Sequence, residues 1–384
     1  MSGKAKRLFA LSYRLLLGLL FVPATQAQEN GYTSVLNMPV GVTPISHEIY
    51  DLHMIVFWIC VIIGVLVFGF MFWAMYFHRK SRGHVAENWH EHLGWEIAWT
   101  VVPFIILLVM AFPATKTLKE VYDYNSGVEL DVKVTGWQWK WQYEYLGEDV
   151  NFMSESITSP DQIYNLDEKG EFYLQEVNQP LVIPARTKVR FLLTATDVIH
   201  SWWVPDFGVK KDAIPGYINE TWAYVNEPGT YRGACTELCG QGHAFMPVVV
   251  EVLEPEDFEI WMEEKRVEAA EIAALKERTF TMDELMTLGE ETYNRSCAVC
   301  HGADGLGIGD VFPAMVGSAI TTGPIAEHYD IVLNGKDGTT MQAFGGQLNE
   351  AELAAVITFE RNAFGNNTGD IVQPIDVYNF AQGL

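Results

Sequence analysis

The sequence predicts a multidomain chain with a two-helix transmembrane hairpin, a β-barrel and a small all-α domain. Three observations lead to this prediction. Two uncharged apolar runs occupy 54–77 and 97–115, and short alternating runs begin near residue 128. A charged, glycine-free stretch then precedes a C-x-x-C-H motif near the C-terminal end. At 384 residues the chain is long enough for two or three domains.

The composition indicates a membrane portion and restricts the possible partners. The hydrophobic fraction of 49% is high for a soluble protein. A net charge of −24 disfavours nucleic acid as a partner, and it favours a basic protein partner outside the cytoplasm. Of the five cysteines, Cys60 lies in an apolar run and is typical of packing. The other four form two close pairs with metal or cofactor spacing rather than a disulfide framework.

Residues 1–27 are typical of a secretory signal peptide. Basic residues precede a short apolar stretch, and Ala24 to Ala27 offers a small-residue cleavage site. A first transmembrane helix is the alternative, but the apolar stretch is too short. We therefore expect a mature start near Gln28.

The segment 28–117 contains the predicted hairpin. Each apolar run can cross a bilayer at about 1.5 Å per helical residue. Arg79, Lys80 and Arg82 make the connecting loop basic, which places that loop on the cytoplasmic side and everything after about residue 117 outside. A buried helical hairpin in a soluble protein is the alternative interpretation.

Residues 118–255 carry the strand signals. The runs 128–135, 181–184, 188–194 and 247–253 are typical of strands and predict an antiparallel barrel or sandwich. Between residues 137 and 145, five aromatic residues alternate with polar ones. On a single strand they would share one face, which is typical of a core.

A single loop of this β-region holds four metal-binding side chains: Cys235, Cys239, His243 and Met246. His200 offers a second imidazole upstream. Soft thiolate and thioether ligands select copper, and a mononuclear blue-copper site uses only one Cys. Two cysteines can instead bridge two coppers, with the histidines as terminal ligands and the Met and a backbone carbonyl completing the pair. A disulfide between the two cysteines is the alternative.

The segment from His200 to Met246 resembles the CuA site of cytochrome c oxidase subunit II, which implies a cupredoxin-like barrel. The resemblance implies that the carbonyl of Glu237 binds one copper. It also implies that the carboxylate of Glu237 binds magnesium at the interface with catalytic subunit I. All six family positions match: His200, Cys235, Glu237, Cys239, His243 and Met246. A Sco-like copper chaperone lacks the Gly-x-x-His-x-x-Met run found here.

Two further roles rest on this resemblance alone. It implies that Trp139 lies over the copper centre, where electrons enter from cytochrome c, although Lys140 replaces the Tyr that is common next to it. Core packing is the alternative for Trp139. The resemblance also implies that Glu96 lies at the entrance of a proton path into the catalytic subunit, whereas a solvated helix end is the ordinary interpretation.

Residues 256–282 predict a charged, semi-rigid linker helix, and 283–364 a heme domain. The motif formed by Cys297, Cys300 and His301 is that of c-type heme attachment. Both thiols would bind the heme covalently, and the imidazole would bind its iron. A zinc knuckle is the alternative, but it needs more cysteines or histidines than the chain offers downstream.

The sixth iron ligand of such a heme is expected to be a Met, which raises the potential. Met315 and Met341 are the candidates. The segment around Met341 resembles the distal loop of class I cytochromes c, so we predict Met341. The resemblance also implies that His301 donates its other ring N–H to the carbonyl of Pro313. The tail 365–384 carries no functional signal.

Together these features resemble subunit II of a bacterial heme–copper oxidase with a fused cytochrome c domain. The resemblance implies an inner-membrane subunit with both cofactors on the periplasmic side. Electrons would pass from a cytochrome c donor through heme c and CuA to a proton-translocating oxidase. Oxygen would be reduced in subunit I, since neither span contains a His for another heme; subunit III is a further expected partner. The alternatives are a CuA-containing nitric oxide reductase subunit, a free membrane-anchored electron carrier and a copper-assembly factor.

Overall fold

The computed structural model describes residues 37–85, 90–309, 311–336 and 338–383. The predicted signal peptide and the mature start near Gln28 lie outside these residues. The chain forms two compact units. Among the described residues, the first unit contains those from 37 to 146 together with Ser154–Phe258, and the second contains Gly147–Met153 together with those from 259 to 383.

Two long helices, α1 (Pro44–Phe77) and α2 (Leu93–Val121), form the predicted hairpin. Both are long and apolar enough to cross a membrane. The start of α1 is fixed by a capping box in which Thr43 and Ser46 exchange hydrogen bonds. Both helices continue past the predicted apolar runs at their outer ends, which are the N-terminal end of α1 and the C-terminal end of α2.

Those outer helix ends are joined to each other and to the β-region. Lys116 Nζ lies 3.0 Å from Glu48 Oε1, which links α2 to α1. Beyond α2, Lys188 donates to the carbonyls of Asp123 and Ser126 at 2.8 and 2.7 Å. These two bonds fasten the β-region to the segment that directly follows α2.

In the described part of the chain, ten strands form two five-stranded sheets with orders β3-β2-β1-β5-β8 and β4-β10-β9-β6-β7. Their bounds are β1 Leu130–Trp137, β2 Lys140–Tyr145, β3 Val150–Ser154, β4 Leu181–Pro184, β5 Lys188–Ala195, β6 His200–Val204, β7 Val209–Ala213, β8 Asn219–Tyr224, β9 Gly229–Cys235 and β10 Pro247–Leu253. A short helix, α3 (Pro160–Ile163), precedes β4. The two sheets bury alternating apolar side chains between them, and Phe191 on β5 meets Trp202 on β6 at 4.9 Å between ring centroids.

Two strand predictions need correction. The fold is not purely antiparallel, because β1 pairs with β5, and β4 with β10, in parallel. The aromatic segment 137–145 is also not one strand. Trp137 pairs with Lys140, which leaves Gln138 and Trp139 as a two-residue turn between β1 and β2. Consequently Trp141, Tyr143 and Tyr145 are buried, while Trp139 lies at the hairpin tip rather than on the core face.

Helices dominate the second unit, and the predicted linker corresponds mainly to α4. The helix bounds are α4 Pro255–Leu275, α5 Met282–Ser296, α6 Ala298–His301, α7 Ala319–Thr322, α8 Ile325–Asn334, α9 Glu350–Asn362 and α10 Pro374–Gln382. Capping boxes at Thr281 and Asn349 set the starts of α5 and α9. These two helices approach closely at Gly289, where a Cβ atom would overlap the carbonyl of Ala355.

The C-terminal tail belongs to the core of this unit. Val372 and Val377 are buried with the side chains of α5, α8 and α9. The ring of Phe380 packs on that of Tyr329 at 5.2 Å. Gln373 exchanges two hydrogen bonds with the backbone of Phe280. The helical domain therefore continues past the predicted boundary at residue 364, because its hydrophobic face needs α10 as a cover.

Candidate functional site

The loop after β9 and the start of β6 bring the predicted metal ligands together. The ligand atoms of His200, Cys235 and Cys239 all lie within 4.8 Å of one another, and all three residues are buried. The sulfur atoms of the two cysteines are 3.7 Å apart, well beyond the length of a disulfide bond. His243 completes the arrangement, with its Nδ1 atom 3.5 Å from the sulfur of Cys239.

Two further predicted ligands lie in the same loop. Met246 is buried, and its carbonyl accepts the backbone N–H of Cys235 at 2.9 Å. The carbonyl oxygen of Glu237 lies 3.4 Å from the sulfur of Cys235, while the Glu237 residue is exposed. The backbone oxygen of Glu237 therefore faces the thiols. Two buried thiols, a buried thioether, the buried imidazole of His200 and the half-buried imidazole of His243 have the soft donor chemistry that suits copper.

The two thiols differ in their acidity. Burial raises the pKa of Cys235, but hydrogen bonds with His200 and with the backbone of Ser201 and Glu237 outweigh it and lower that pKa to about 7. Burial and the neighbouring Cys235 raise the pKa of Cys239 to about 12. Metal binding at neutral pH would therefore have to displace a proton from Cys239.

A carboxylate that the sequence reasoning missed orients His200. Asp197 Oδ1 lies 2.9 Å from Nε2 of His200, which leaves Nδ1 facing Cys235. Burial lowers the pKa of His200, but the hydrogen bonds and charges of Asp197 and Cys235 together outweigh it, so this pKa lies above its ordinary value. The available signal was the spacing, since Asp197 precedes His200 by three residues.

Two glycines that sequence reasoning also missed make room for the site. A Cβ atom at Gly136 on β1 would fall 2.7 Å from the ring of His200. A Cβ atom at Gly242 would overlap the indole of Trp139. Trp139 also donates from its indole Nε1 to the carbonyl of Cys239 at 3.1 Å. The tip of the β1–β2 hairpin therefore lies on the loop that carries the predicted metal ligands.

The C-x-x-C-H motif lies at the end of α5 and in α6. Cys297 and Cys300 are half-buried and His301 is buried. Nδ1 of His301 lies 2.8 Å from the carbonyl oxygen of Pro313, as predicted. This contact fixes the ring so that Nε2 is the atom left to bind a metal. The hydroxyl of Tyr293 donates to the carbonyl of Gly302 at 2.8 Å and holds the chain directly after His301.

The two methionines that are candidate iron ligands have different surroundings. Met315 packs against the hydrophobic core of the helical unit. Its carbonyl accepts hydrogen bonds from Thr321 and Asn366 at 2.7 and 3.1 Å. Met341 is half-buried outside that core cluster, in the loop between α8 and α9. Met315 therefore has packing partners in the core, and the assignment of Met341 as the iron ligand stays a prediction.

Glu96 lies in the first turn of α2, where it has a local structural partner. Its Oε1 atom accepts the backbone N–H of His92, the N-cap residue, at 3.1 Å. A carboxylate at a helix N-terminus is favourable because it pairs with unsatisfied N–H groups there. This contact does not test the predicted proton-path role, which stays a prediction.

Family models match most of the chain in three sections. The model described as cytochrome c oxidase subunit II, transmembrane domain, matches residues 31–117. The model for the periplasmic domain of the same subunit matches residues 130–253. Residues 284–359 match the model described as cytochrome c oxidase, cbb3-type, subunit III.

Individual proteins are similar in sequence to parts of the first two of these sections. A probable cytochrome c oxidase subunit 2 of Rickettsia prowazekii is 40% identical over 221 residues, which are 57% of this chain and 69% of that protein. A mitochondrial cytochrome c oxidase subunit 2 of Glycine max is 35% identical over 224 residues, 57% of this chain and 56% of that protein. The crystal structure of the periplasmic domain of subunit II of cytochrome oxidase from Bradyrhizobium japonicum is 37% identical. The matched region is 37% of this chain and 96% of the Bradyrhizobium domain, with a TM-score of 0.33.

Proposed function

This chain belongs to the cytochrome c oxidase subunit II family, and we propose that a copper pair and a heme c form its electron-entry path into a terminal oxidase. The chain would take electrons from a cytochrome c donor in its C-terminal domain and pass them through its β-domain to a catalytic partner subunit. Two helices hold it in the inner membrane, with the β-domain on the periplasmic side.

One observation carries the copper assignment: the ligand atoms of His200, Cys235 and Cys239 converge inside 4.8 Å in a buried loop. The two thiolates and the imidazoles of His200 and His243 would hold the copper pair. Met246 and the carbonyl of Glu237 complete the set. When bound, the copper pair and the heme each accept and release one electron, so the protein supplies geometry and potential rather than bond chemistry.

The protein's own residues keep this site dry and fixed. Cys235, Cys239 and Met246 are each at most 5% exposed, which excludes water from the sulfur ligands. Asp197 sets the orientation of His200 by accepting its Nε2–H. Trp139, which touches the loop through its indole, is the proposed point at which electrons enter the copper site.

In the helical domain, Cys297 and Cys300 are the proposed attachment points for heme c. His301 and Met341 are the proposed iron ligands. The hydrogen bond from His301 to Pro313 supports this assignment, because such a bond fixes the ring and raises the basicity of the coordinating nitrogen. A His–Met pair would give a high reduction potential that suits an electron-accepting domain.

Three finer roles follow from the family. The exposed Glu237 carboxylate would bind magnesium together with the catalytic subunit. Glu96 would serve a proton path at the opposite membrane face, and a third subunit would join the complex. A nitric oxide reductase subunit and a free carrier are disfavoured, because the relatives are named as oxidase subunits.

The test is a visible and near-infrared spectrum of the purified complex with its metal content. We expect low-spin heme c, two coppers and a mixed-valence copper band. Cys235→Ser should abolish the copper band and leave the heme c signal intact. Cys60→Ser, an exposed cysteine in α1, should change neither signal. A single copper, a zinc ion or a disulfide in the wild-type loop would overturn the proposal.

A further inference from the structure

Hydrogen bonds of Gln138 connect two of the proposed copper ligands, Cys239 and His200. The side-chain Nε2 of Gln138 donates to the carbonyl of Cys239 at 2.8 Å. Its backbone N–H donates to Oδ2 of Asp197 at 2.7 Å. The other oxygen of that carboxylate is the one that lies 2.9 Å from Nε2 of His200. Gln138 is therefore bonded directly to Cys239 on the loop. Through the carboxylate of Asp197 it is also linked to His200 on β6.

The loop is shaped to receive this side chain. Gly240 has a positive φ of 111°, and a Cβ atom there would fall 2.9 Å from Nε2 of Gln138. A side chain at residue 240 would therefore push the amide away from the Cys239 carbonyl. The same carbonyl also accepts the indole N–H of Trp139. Because a carbonyl oxygen has two lone pairs, these two donors satisfy it completely.

These hydrogen bonds restrain the peptide of Cys239 and the ring of His200. The peptide of Cys239 cannot shift without breaking bonds to both residues of the turn between β1 and β2. The ring of His200 cannot rotate without losing the carboxylate that also holds the backbone of Gln138. The positions of Cys239 and His200 are thus coupled through a two-residue turn that supplies no metal ligand.

We propose that Gln138 is a positioning residue that couples Cys239 and His200 into one rigid ligand frame. The expected effect on electron transfer rests on the proposed copper function. The coupling of Cys239 to His200 consists of hydrogen bonds within the protein and does not depend on a bound metal. A rigid frame limits the movement of ligands when the site gains or loses an electron. Its loss should therefore slow electron entry, whereas copper content should stay unchanged.

The test compares two Gln-to-Glu changes on the same hairpin in the full-length protein. Gln138→Glu replaces the amide donor by a carboxylate, which cannot donate to the Cys239 carbonyl. Gln142→Glu is the matched control, since Gln142 on β2 acts as an acceptor for Trp137 Nε1 at 3.3 Å and a carboxylate keeps that role. Gln138→Met gives a neutral side chain of similar length that also lacks the donor.

The first readout needs no metal. In the metal-free protein we expect amide hydrogen exchange in the loop 236–246 to be roughly two- to tenfold faster in both Gln138 variants. Exchange in Gln142→Glu should match the wild type. Equal exchange in all four proteins would overturn the proposal, whatever metal the site binds.

The second readout uses the copper-loaded protein. We expect both Gln138 variants to keep two coppers, to show altered copper hyperfine splitting and to accept electrons on the order of tenfold more slowly. An unchanged hyperfine pattern and rate would contradict a positioning role. Should the wild type bind no copper pair, the proposed function fails, while the exchange measurement still decides the role of Gln138.

Discussion

The indole ring of Trp139 lies directly against the backbone of Gly242, and a Cβ atom at residue 242 would overlap three atoms of that ring. Gly242 is one residue before His243, so the proposed electron-entry side chain touches the ligand loop itself. We therefore expect Gly242→Ala to displace Trp139. Electron entry from the donor should slow, whereas copper content should be retained.

The measurement is the rate of copper reduction after rapid mixing with reduced donor, together with copper stoichiometry. Gly170→Ala is the control, because a Cβ atom at Gly170 would meet nothing within 4 Å. A normal rate in Gly242→Ala would show that the position of Trp139 is irrelevant to electron entry.

Substitution of the two methionines should distinguish ligand from core residue. We expect Met341→Ala to lower the heme c reduction potential and to open the iron to cyanide, because a Met ligand raises the potential. Met315→Leu should leave both properties unchanged, since Leu can replace Met in a packed core at little cost. The measurement is a redox titration with a cyanide-binding assay. The opposite result for the two variants would exchange the assignments.

An ion pair inside the helical domain should give a pH-dependent stability. Asp370 Oδ2 lies 2.7 Å from Nε of Arg361, a buried side chain, and this guanidinium lowers the pKa of Asp370 below its ordinary value of 3.8. A lowered folded pKa stabilises the protein above pH 3.8, and this contribution disappears as the pH falls through the folded value.

We expect Asp370→Asn to destabilise the domain by about 1–2 kcal/mol at neutral pH. The figure is below that of a fully buried pair because the Asp370 side chain is 39% exposed. The difference from wild type should vanish in acid. Urea unfolding followed at the heme absorbance measures it. Glu268→Gln, which removes a surface pair with Lys265, should change little at any pH, and a pH-independent loss in Asp370→Asn would refute the linkage.

Removing part of the tail's core contact should destabilise the helical domain. Val377 on α10 is 1% exposed, and we expect Val377→Ala to cost about 1–3 kcal/mol of unfolding free energy. Ile371→Ala, at a residue that is 49% exposed, should cost far less. Thermal unfolding monitored at the heme band compares the two variants. Equal midpoints would mean that the tail is only loosely attached.

Sequence reasoning recovered the features whose information is local. The proposed copper loop and the heme motif are contiguous, so the spacing of residues within about a dozen positions determines which side chains can share a ligand. The apolar runs likewise located both membrane helices, since hydropathy over one segment is sufficient for that purpose. Strand positions were mostly right, because alternation is also a local signal.

What the sequence by itself determined is the set of donor side chains in the proposed ligand loop, the two membrane spans and the order of the domains. The tertiary structure decided the relations between distant segments. It placed Trp139 at a hairpin tip, brought Asp197 and Gln138 beside the proposed ligands, and buried the tail in the helical core. Such relations depend on strand register and on packing between residues far apart in the chain, which no local pattern encodes.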